Sequence, residues 1–319
     1  MKLIIQIPCH NEEDQLPETL GDLPREVPGF DVVEWLIIDD GSTDRTVEVA
    51  QAHGADHIER LRTNQGLARA FMRGLERALK LGADVVVNTD GDNQYQAKCI
   101  PALTQPILEG KAQIVVGTRP ISSIAHFSPM KRGLQKLGSW VVRQASGTRV
   151  MDAPSGFRAI HKEAAMQLHV FNGYTYTLET IIQAGRQGIP IMSVPIEVNN
   201  PTRESRLMRT IWQYIWRSGL TVFRIFVLYK PLKVFTIVAV LLGLPGILAF
   251  TRFLYLWSNG QGDGNIQSLV IGAALIAASA VVFVGGLLAD LVAANRVLLA
   301  EIRSRQLRAE IERVQGQQR

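Results

Sequence analysis

Two overwhelmingly apolar runs, residues 234–257 and 266–289, each 24 residues long, limit what this chain can fold into more than any other feature. About 20 such residues cross a bilayer core of ~30 Å, so each run can span a membrane with some tilt. The link between them, residues 258–265, is short, Gly-rich and polar, and contains no Lys or Arg. Basic residues crowd the outer ends instead: Lys230 and Lys233 before the first run, then Arg296, Arg303 and Arg305 after the second. The positive-inside bias places both ends in the cytosol and the small loop outside. Two buried helices of a water-soluble domain would leave that asymmetry unexplained.

Charge concentrates just upstream. Between Thr202 and Lys233 there are seven basic residues against one acid, while the whole 319-residue chain carries only +5. A basic stretch beside an apolar one points to anionic lipid rather than nucleic acid. Arg206, Arg209, Gln213, Arg217 and Arg224 recur at helical spacing, with Trp212 and Trp216 suited to a headgroup region. The same helix could dock on a catalytic domain, and both readings stay open. Cys9 and Cys99 are the only cysteines and fit neither a disulfide framework nor a zinc spacing, so a reduced, cytosol-facing domain is expected. The segment before Pro8 is too short for a signal peptide and reads as a strand.

The first two-thirds of the chain alternates strand-like and helix-like segments, which predicts an α/β domain. Strands are expected at residues 3–7, 32–38, 84–88 and 114–117, and helices at 11–20, 43–53 and 66–81. Ser42 or Thr43 would cap the second helix. Three predicted strands end in polar, acidic loops: Pro8-Cys9-His10-Asn11-Glu12-Glu13, Asp39-Asp40-Gly41-Ser42-Thr43-Asp44 and Asp90-Gly91-Asp92. Ligands of open α/β sheets lie beyond the carboxyl ends of the strands, where all three fall. One such loop alone reads as a turn and helix cap, but three in this order do not. Two carboxylates separated by one small residue can converge on a hard divalent cation, and Mg²⁺ commonly combines one or two carboxylates with substrate phosphates. Carboxylates also accept hydrogen bonds from base N–H and ribose hydroxyl groups.

These loops, followed by Asn64-Gln65-Gly66, Asp90-Gly91-Asp92-Asn93-Gln94 and Gly117-Thr118-Arg119, resemble the GT-A-fold glycosyltransferases of family 2. Within them the resemblance is to polyprenyl-phosphate sugar synthases of the dolichol-phosphate mannosyltransferase type, over roughly residues 1–205. The paired spans also resemble bacterial polyprenyl-phosphate glucosyltransferases. The resemblance implies a Rossmann-like domain that binds a nucleotide diphosphate sugar, with Mg²⁺ or Mn²⁺ as cofactor. By position it assigns Pro8, His10, Glu12 and Asp39 to base and ribose, with Asp40 beside them. Asp90 matches a nucleotide-side carboxylate, and Asp92 and Gln94 match metal ligands. Arg119 matches a basic residue near the phosphates, Lys131 or Arg132 falls in an acceptor loop, and Asp152 lies in the acceptor segment Asp152-Ala153-Pro154-Ser155-Gly156-Phe157-Arg158. Gly156, Phe157 and Arg158 read equally well as a structural turn and core anchor. The family often has Tyr in place of His10. It also commonly carries an Arg, two spacers and Gly-x-Ser-Lys where this chain reads Pro201-Thr202-Arg203-Glu204-Ser205-Arg206. The cationic role then passes to Arg203 and Arg206.

The expected organisation is a GT-A catalytic domain at 1–205, an amphipathic juxtamembrane helix at 206–232, a two-helix transmembrane hairpin at 233–295 and a cytoplasmic basic helix at 296–319. The expected reaction is inverting transfer of a hexose, from a donor of the UDP-glucose or GDP-mannose class, to a polyprenyl phosphate at the cytoplasmic face of the cell membrane. Asp92, Asp152 and Arg119 are the candidate catalytic residues. A lipid phosphate has a second pKa of ~6 by analogy with phosphorylated side chains, so its oxygen needs little deprotonation before attack. The protein's part is positioning and charge neutralisation, for which guanidinium groups suit phosphate. Association through the spans is left open. A processive polysaccharide synthase is the rival enzyme reading. Gln213-Tyr214-Ile215-Trp216-Arg217 comes near the QxxRW pattern of such enzymes with its last two residues reversed, and two spans are too few for a channel in one chain. A catalytically silent nucleotide-binding membrane scaffold is the third reading, opposed by the presence of Asp90, Asp92 and Gln94. Scattered histidines without HExxH oppose a zinc site, and the first strand is followed by no GxGxxG.

Overall fold

The computed structural model describes residues 1–120, 138–140, 142–144, 146–170, 176–199, 224, 227, 229–261 and 264–317. Lys131, Arg132, Arg203, Arg206 and most of the expected juxtamembrane helix lie outside them. The chain divides into two compact units, Met1–Ser218 with Ala300–Arg319, and Gly219–Leu299.

Among the described residues, the first unit is built on a seven-stranded sheet of order β3-β2-β1-β4-β6-β5-β7. Its strands are β1 (Lys2–Cys9), β2 (Val32–Asp39), β3 (His57–Arg60), β4 (Val85–Asn88), β5 (Ile114–Thr118), β6 (Arg158–His161) and β7 (Ile191–Pro195). β3, β2, β1 and β4 are mutually parallel, and β5 is parallel to β7. β6 runs antiparallel between β4 and β5. The central strands read as near-continuous apolar runs because helices cover both faces. These helices are α1 (Leu16–Asp22), α2 (Thr46–Ala52), α3 (Leu67–Lys80), α4 (Ile100–Leu108), α5 (Lys162–Gln167) and α6 (Thr177–Arg186). On one face Leu3, Ile5, Ile7, Val85 and Val87 pack with Leu16, Leu20 and Leu103. Connections leave β1 toward β2 and β3 on one side and then return to β4 on the other. Strand order therefore reverses between β1 and β4, the position where open α/β sheets bind ligands.

Two helix starts differ from expectation. Asn11 takes a left-handed φ of 54°, so helix begins only at Leu16. α2 begins at Thr46 rather than Thr43, with Arg45 at the N-cap position making no side-chain cap. In both places the polar residues bond across the loops instead of starting a helix.

The second unit holds α7 (Pro231–Ser258) and most of α8 (Ile266–Gln317). Both are long and apolar enough to cross a membrane. Most of their large side chains are exposed, among them Leu241, Leu244, Leu248, Val270, Val281 and Leu288. Close packing between them uses small residues: a Cβ on Gly272 would stand 2.9 Å from the Phe250 amide nitrogen and 3.0 Å from the Gly246 carbonyl oxygen. Ser279 Oγ donates to the Ala239 carbonyl at 2.7 Å. α8 runs without a break into the expected basic segment, because residues 287–315 contain no Gly or Pro and are rich in Ala, Leu, Arg and Glu. Its last turns, from Ala300, belong to the first unit. There Glu310 pairs with Lys80 of α3 at 2.7 Å, Arg308 pairs with Glu163 of α5, and Ile311 is buried.

Candidate functional site

The loops after β1 and β2 are tied together by reciprocal hydrogen bonds. The Asn11 amide donates to Ser42 Oγ (3.0 Å) and the Glu12 amide to Thr46 Oγ1 (2.9 Å), while the Thr43 amide donates to Asn11 Oδ1 (2.8 Å). A His10 ring nitrogen lies 2.9 Å from the Asp40 carbonyl. The two loops thus act as one rigid rim beside the β1–β4 reversal.

Asp39 and Asp40, adjacent in sequence, do different work. The Asp40 carboxylate accepts from the amides of Gln65 (2.7 Å) and Gly66 (2.8 Å), tying the β2 loop to the start of α3. Both of its oxygens are committed to the backbone. Asp39 is completely buried. It accepts from the Ser42 amide at 2.9 Å, and its other oxygen lies 3.2 Å from Arg60 Nε at the end of β3. Gly41 makes this turn feasible: its φ is +68°, and a Cβ there would stand 2.6 Å from backbone atoms of Thr63 and Asn64. Burial and the carboxylates of Glu12, Asp39, Asp90 and Asp44 push the Cys9 thiol well up, which leaves it inert.

The loop after β4 is held on three sides. Thr19 Oγ1 donates to the Gly91 carbonyl (2.9 Å), Asn93 Nδ2 to Asp22 (2.9 Å), and Asn199 Nδ2 to the Asn93 carbonyl (2.8 Å). Asn93 adopts a left-handed φ of 53°, and Asp92 accepts from the Gln94 amide at 3.2 Å. Burial, then the charge of Asp92, push the Asp90 carboxyl up to about 7, with Glu12 adding to the shift and Arg119 opposing it. Crowded carboxylates of this kind are what a divalent cation relieves, so the residues fit Mg²⁺ or Mn²⁺. Among the described residues, no three His, Cys, Asp or Glu side chains form a closed metal cage. An ion here would complete its shell with Gln94, water or phosphate oxygens, the open coordination Mg²⁺ favours.

Arg119 and Asp152 meet directly: Nε lies 2.7 Å from Oδ2 and Nη2 3.0 Å from Oδ1. The Arg119 backbone amide adds a third bond to Oδ2 at 3.2 Å. Burial pulls the guanidinium down, but Tyr95 and the bonded Asp152 more than offset it and hold Arg119 above its ordinary value. The guanidinium fork expected to face donor phosphate is thus engaged with Asp152. Arg158 is fully buried and donates to the carbonyls of Ser155 and Ala153 (both 2.8 Å) and to Thr180 Oγ1 (2.5 Å). Of the two readings of Gly156-Phe157-Arg158, the anchor describes this arginine.

The strand ends therefore bring Pro8, His10, Glu12, Asp39 and Asp40 to one rim, with Asp90, Asp92 and Gln94 in the loop after β4 and Arg119 paired with Asp152. Sequence reading missed Arg60, Gln6, Asn88, Tyr95 and Tyr176. Asn88 carried a signal, as a polar residue closing the apolar run Val85-Val86-Val87.

Comparison with known proteins gives a consistent picture. A family model described as Glycosyl transferase family 2 matches residues 4–168. An undecaprenyl-phosphate mannosyltransferase from Micrococcus luteus is 30% identical over 206 residues, covering 61% of this chain and 83% of that protein. A dolichol-phosphate mannosyltransferase from Pyrococcus furiosus is 28% identical over 279 residues, covering 81% of this chain and 73% of that one. Among solved structures, glucosyl-3-phosphoglycerate synthase from Mycobacterium tuberculosis in complex with Mn²⁺, uridine diphosphate and phosphoglyceric acid aligns with a TM-score of 0.53. It is 20% identical and covers 71% of this chain and 77% of that chain.

Proposed function

This chain belongs to glycosyl transferase family 2, and we propose that it transfers a hexose from a nucleotide diphosphate donor to a polyprenyl phosphate at the cytoplasmic face of a membrane. The observation that carries this reading is the meeting of Glu12, Asp90 and Asp92 beyond the carboxyl ends of β1 and β4, in a chain that also bears two helices able to span a bilayer. The polyprenyl-phosphate acceptors named for the Micrococcus and Pyrococcus relatives support it.

In this reading the rim formed by Asp39, His10 and Glu12 receives the base and ribose. Asp90 and Asp92, with Gln94, would hold Mg²⁺ or Mn²⁺, which when bound neutralises diphosphate charge. The acceptor phosphate oxygen displaces the diphosphate at the anomeric carbon: one C–O bond forms as the other breaks, with inversion. A dianionic phosphate needs no strong base. Asp152 therefore orients Arg119 rather than taking a proton, and their joint rigidity preorganises the site. Lys131, Arg132, Arg203 and Arg206 are assigned to the acceptor phosphate from the family pattern.

The test is a panel of nucleotide sugars incubated with the full chain, polyprenyl phosphate and Mn²⁺ or Mg²⁺, followed by mass analysis of extracted lipid. One sugar per lipid phosphate is expected. A growing polymer, or no transfer from any donor, would overturn the reading.

A further inference from the structure

Behind the acidic loops lies a buried polar network on the α3 face of the sheet. Asn88, the last residue of β4, is completely buried. Its Nδ2 donates to the Gly156 carbonyl and to Tyr176 Oη, each at 2.9 Å, and its Oδ1 accepts from Gln6 Nε2 of β1 at 2.8 Å. The Gly156 amide donates in turn to Tyr95 Oη at 3.1 Å. The peptide groups on both sides of Gly156 are therefore gripped, one from β4 and one from the loop that follows it. Tyr176 stacks on Phe71 of α3, with ring centroids 3.8 Å apart.

Gly156 is where the two halves of the site touch. A Cβ there would stand 3.2 Å and 3.3 Å from the Asp90 carboxylate oxygens and 2.9 Å from Tyr176 Oη. Only a bare Cα lets the segment that begins at Asp152 approach Asp90 so closely. Buried polar groups are costly unless paired, so the paired amide of Asn88 and the paired peptide groups of Gly156 hold one arrangement and resist others, with Gln6 Oε1 left as the unpaired atom of the network.

We propose that Asn88 is a positioning residue that sets the segment carrying Asp152 against the carboxylate of Asp90. It touches neither substrate, and it acts through Gly156 and Tyr176. The inference rests on the transferase reading for its kinetic consequence, though not for its structural one.

The experiment uses the full chain in detergent, with Asn88→Ala and Tyr176→Phe as variants. Thr104→Val serves as control, since the Thr104 hydroxyl closes only onto its own helix. Hydrogen exchange of amides 152–158 should accelerate at least tenfold in Asn88→Ala, and less in Tyr176→Phe, which keeps the ring stack. With the donor that wild type uses, kcat should fall at least tenfold while the Kd of the matching nucleoside diphosphate with Mn²⁺ stays within twofold. Unchanged exchange at 152–158 in a folded variant would overturn the proposal, as would an equal kcat loss in Thr104→Val. If Asn88→Ala does not fold, Tyr176→Phe decides by the same two readouts. If wild type transfers no sugar, the transferase reading fails while the exchange result still decides the positioning role.

Discussion

Asp152 and Arg119 hold each other through two side-chain hydrogen bonds, 2.7 Å and 3.0 Å, with the carboxylate wholly buried and the guanidinium nearly so. Breaking such a pair from one side leaves an uncompensated buried charge, at a cost of roughly 3–5 kcal/mol. Arg119→Met should therefore lower the denaturation midpoint sharply, and Asp152→Asn less so because the amide oxygen can still accept one bond. Both should lose at least tenfold in kcat. A double-mutant cycle on stability should return a large coupling, and additive losses would show that the pair is not cooperative.

Asp39 and Asp40 should separate cleanly. Asp40→Asn replaces one acceptor facing two backbone donors, so it should cost about 1–3 kcal/mol in stability. Asp39→Asn can keep the Ser42 bond through its amide oxygen and loses only the pairing with the exposed Arg60, so it should lower the thermal midpoint less than Asp40→Asn. Its effect should fall on nucleoside diphosphate affinity, weakened at least tenfold by calorimetric titration. Equal effects of the two substitutions on affinity would refute this division of labour.

Legibility in the sequence followed physical locality. β1, β2 and β4 were readable because fully buried parallel strands are short apolar runs, and their acidic ends followed from the same runs. Helix starts at Leu16 and Thr46 were not, because Asn11, Ser42 and Asp44 spend their side chains across the gap between two loops. The Asp40 bond to Gln65 and Gly66 and the Asn88 bonds to Gln6 and Gly156 join residues 25 to 82 positions apart. No local periodicity encodes such pairs. The two long apolar helices were legible from length and composition, whereas the continuation of α8 rests on the absence of Gly and Pro from residues 287–315, which outweighs the change in polarity there.

Metal and proton should compete at Asp90. Its folded-state pKa of about 7 lies above the ordinary value of ~3.9, so the folded state binds this proton more tightly than the unfolded state. The resulting stability is fully present below about pH 4 and is lost as pH rises through about 7. Without divalent metal, the thermal midpoint should decline between about pH 4 and 7 and level off above that, and Asp90→Asn should flatten that decline. Added Mn²⁺ should raise the midpoint more at the alkaline end, where the carboxylate is already free of its proton. A metal effect independent of pH would place the cation elsewhere.

Gly272 and Gly246 bring the backbones of α7 and α8 together, and a side chain at Gly272 would meet main-chain atoms on two sides. In a bilayer, lipid tails are as apolar as Leu, so helix pairing depends on such close packing rather than on hydrophobicity. Gly272→Leu should therefore leave membrane insertion intact, since the segment becomes more apolar, yet loosen the hairpin. Cysteine pairs placed across α7 and α8 should cross-link efficiently in the parent and poorly in the variant. Ser279→Ala removes one interhelical hydrogen bond, worth about 0.6 to 2 kcal/mol in this setting. It should weaken cross-linking far less than Gly272→Leu. A reversed order would mean that the hydroxyl, rather than the glycine contact, holds the two helices together.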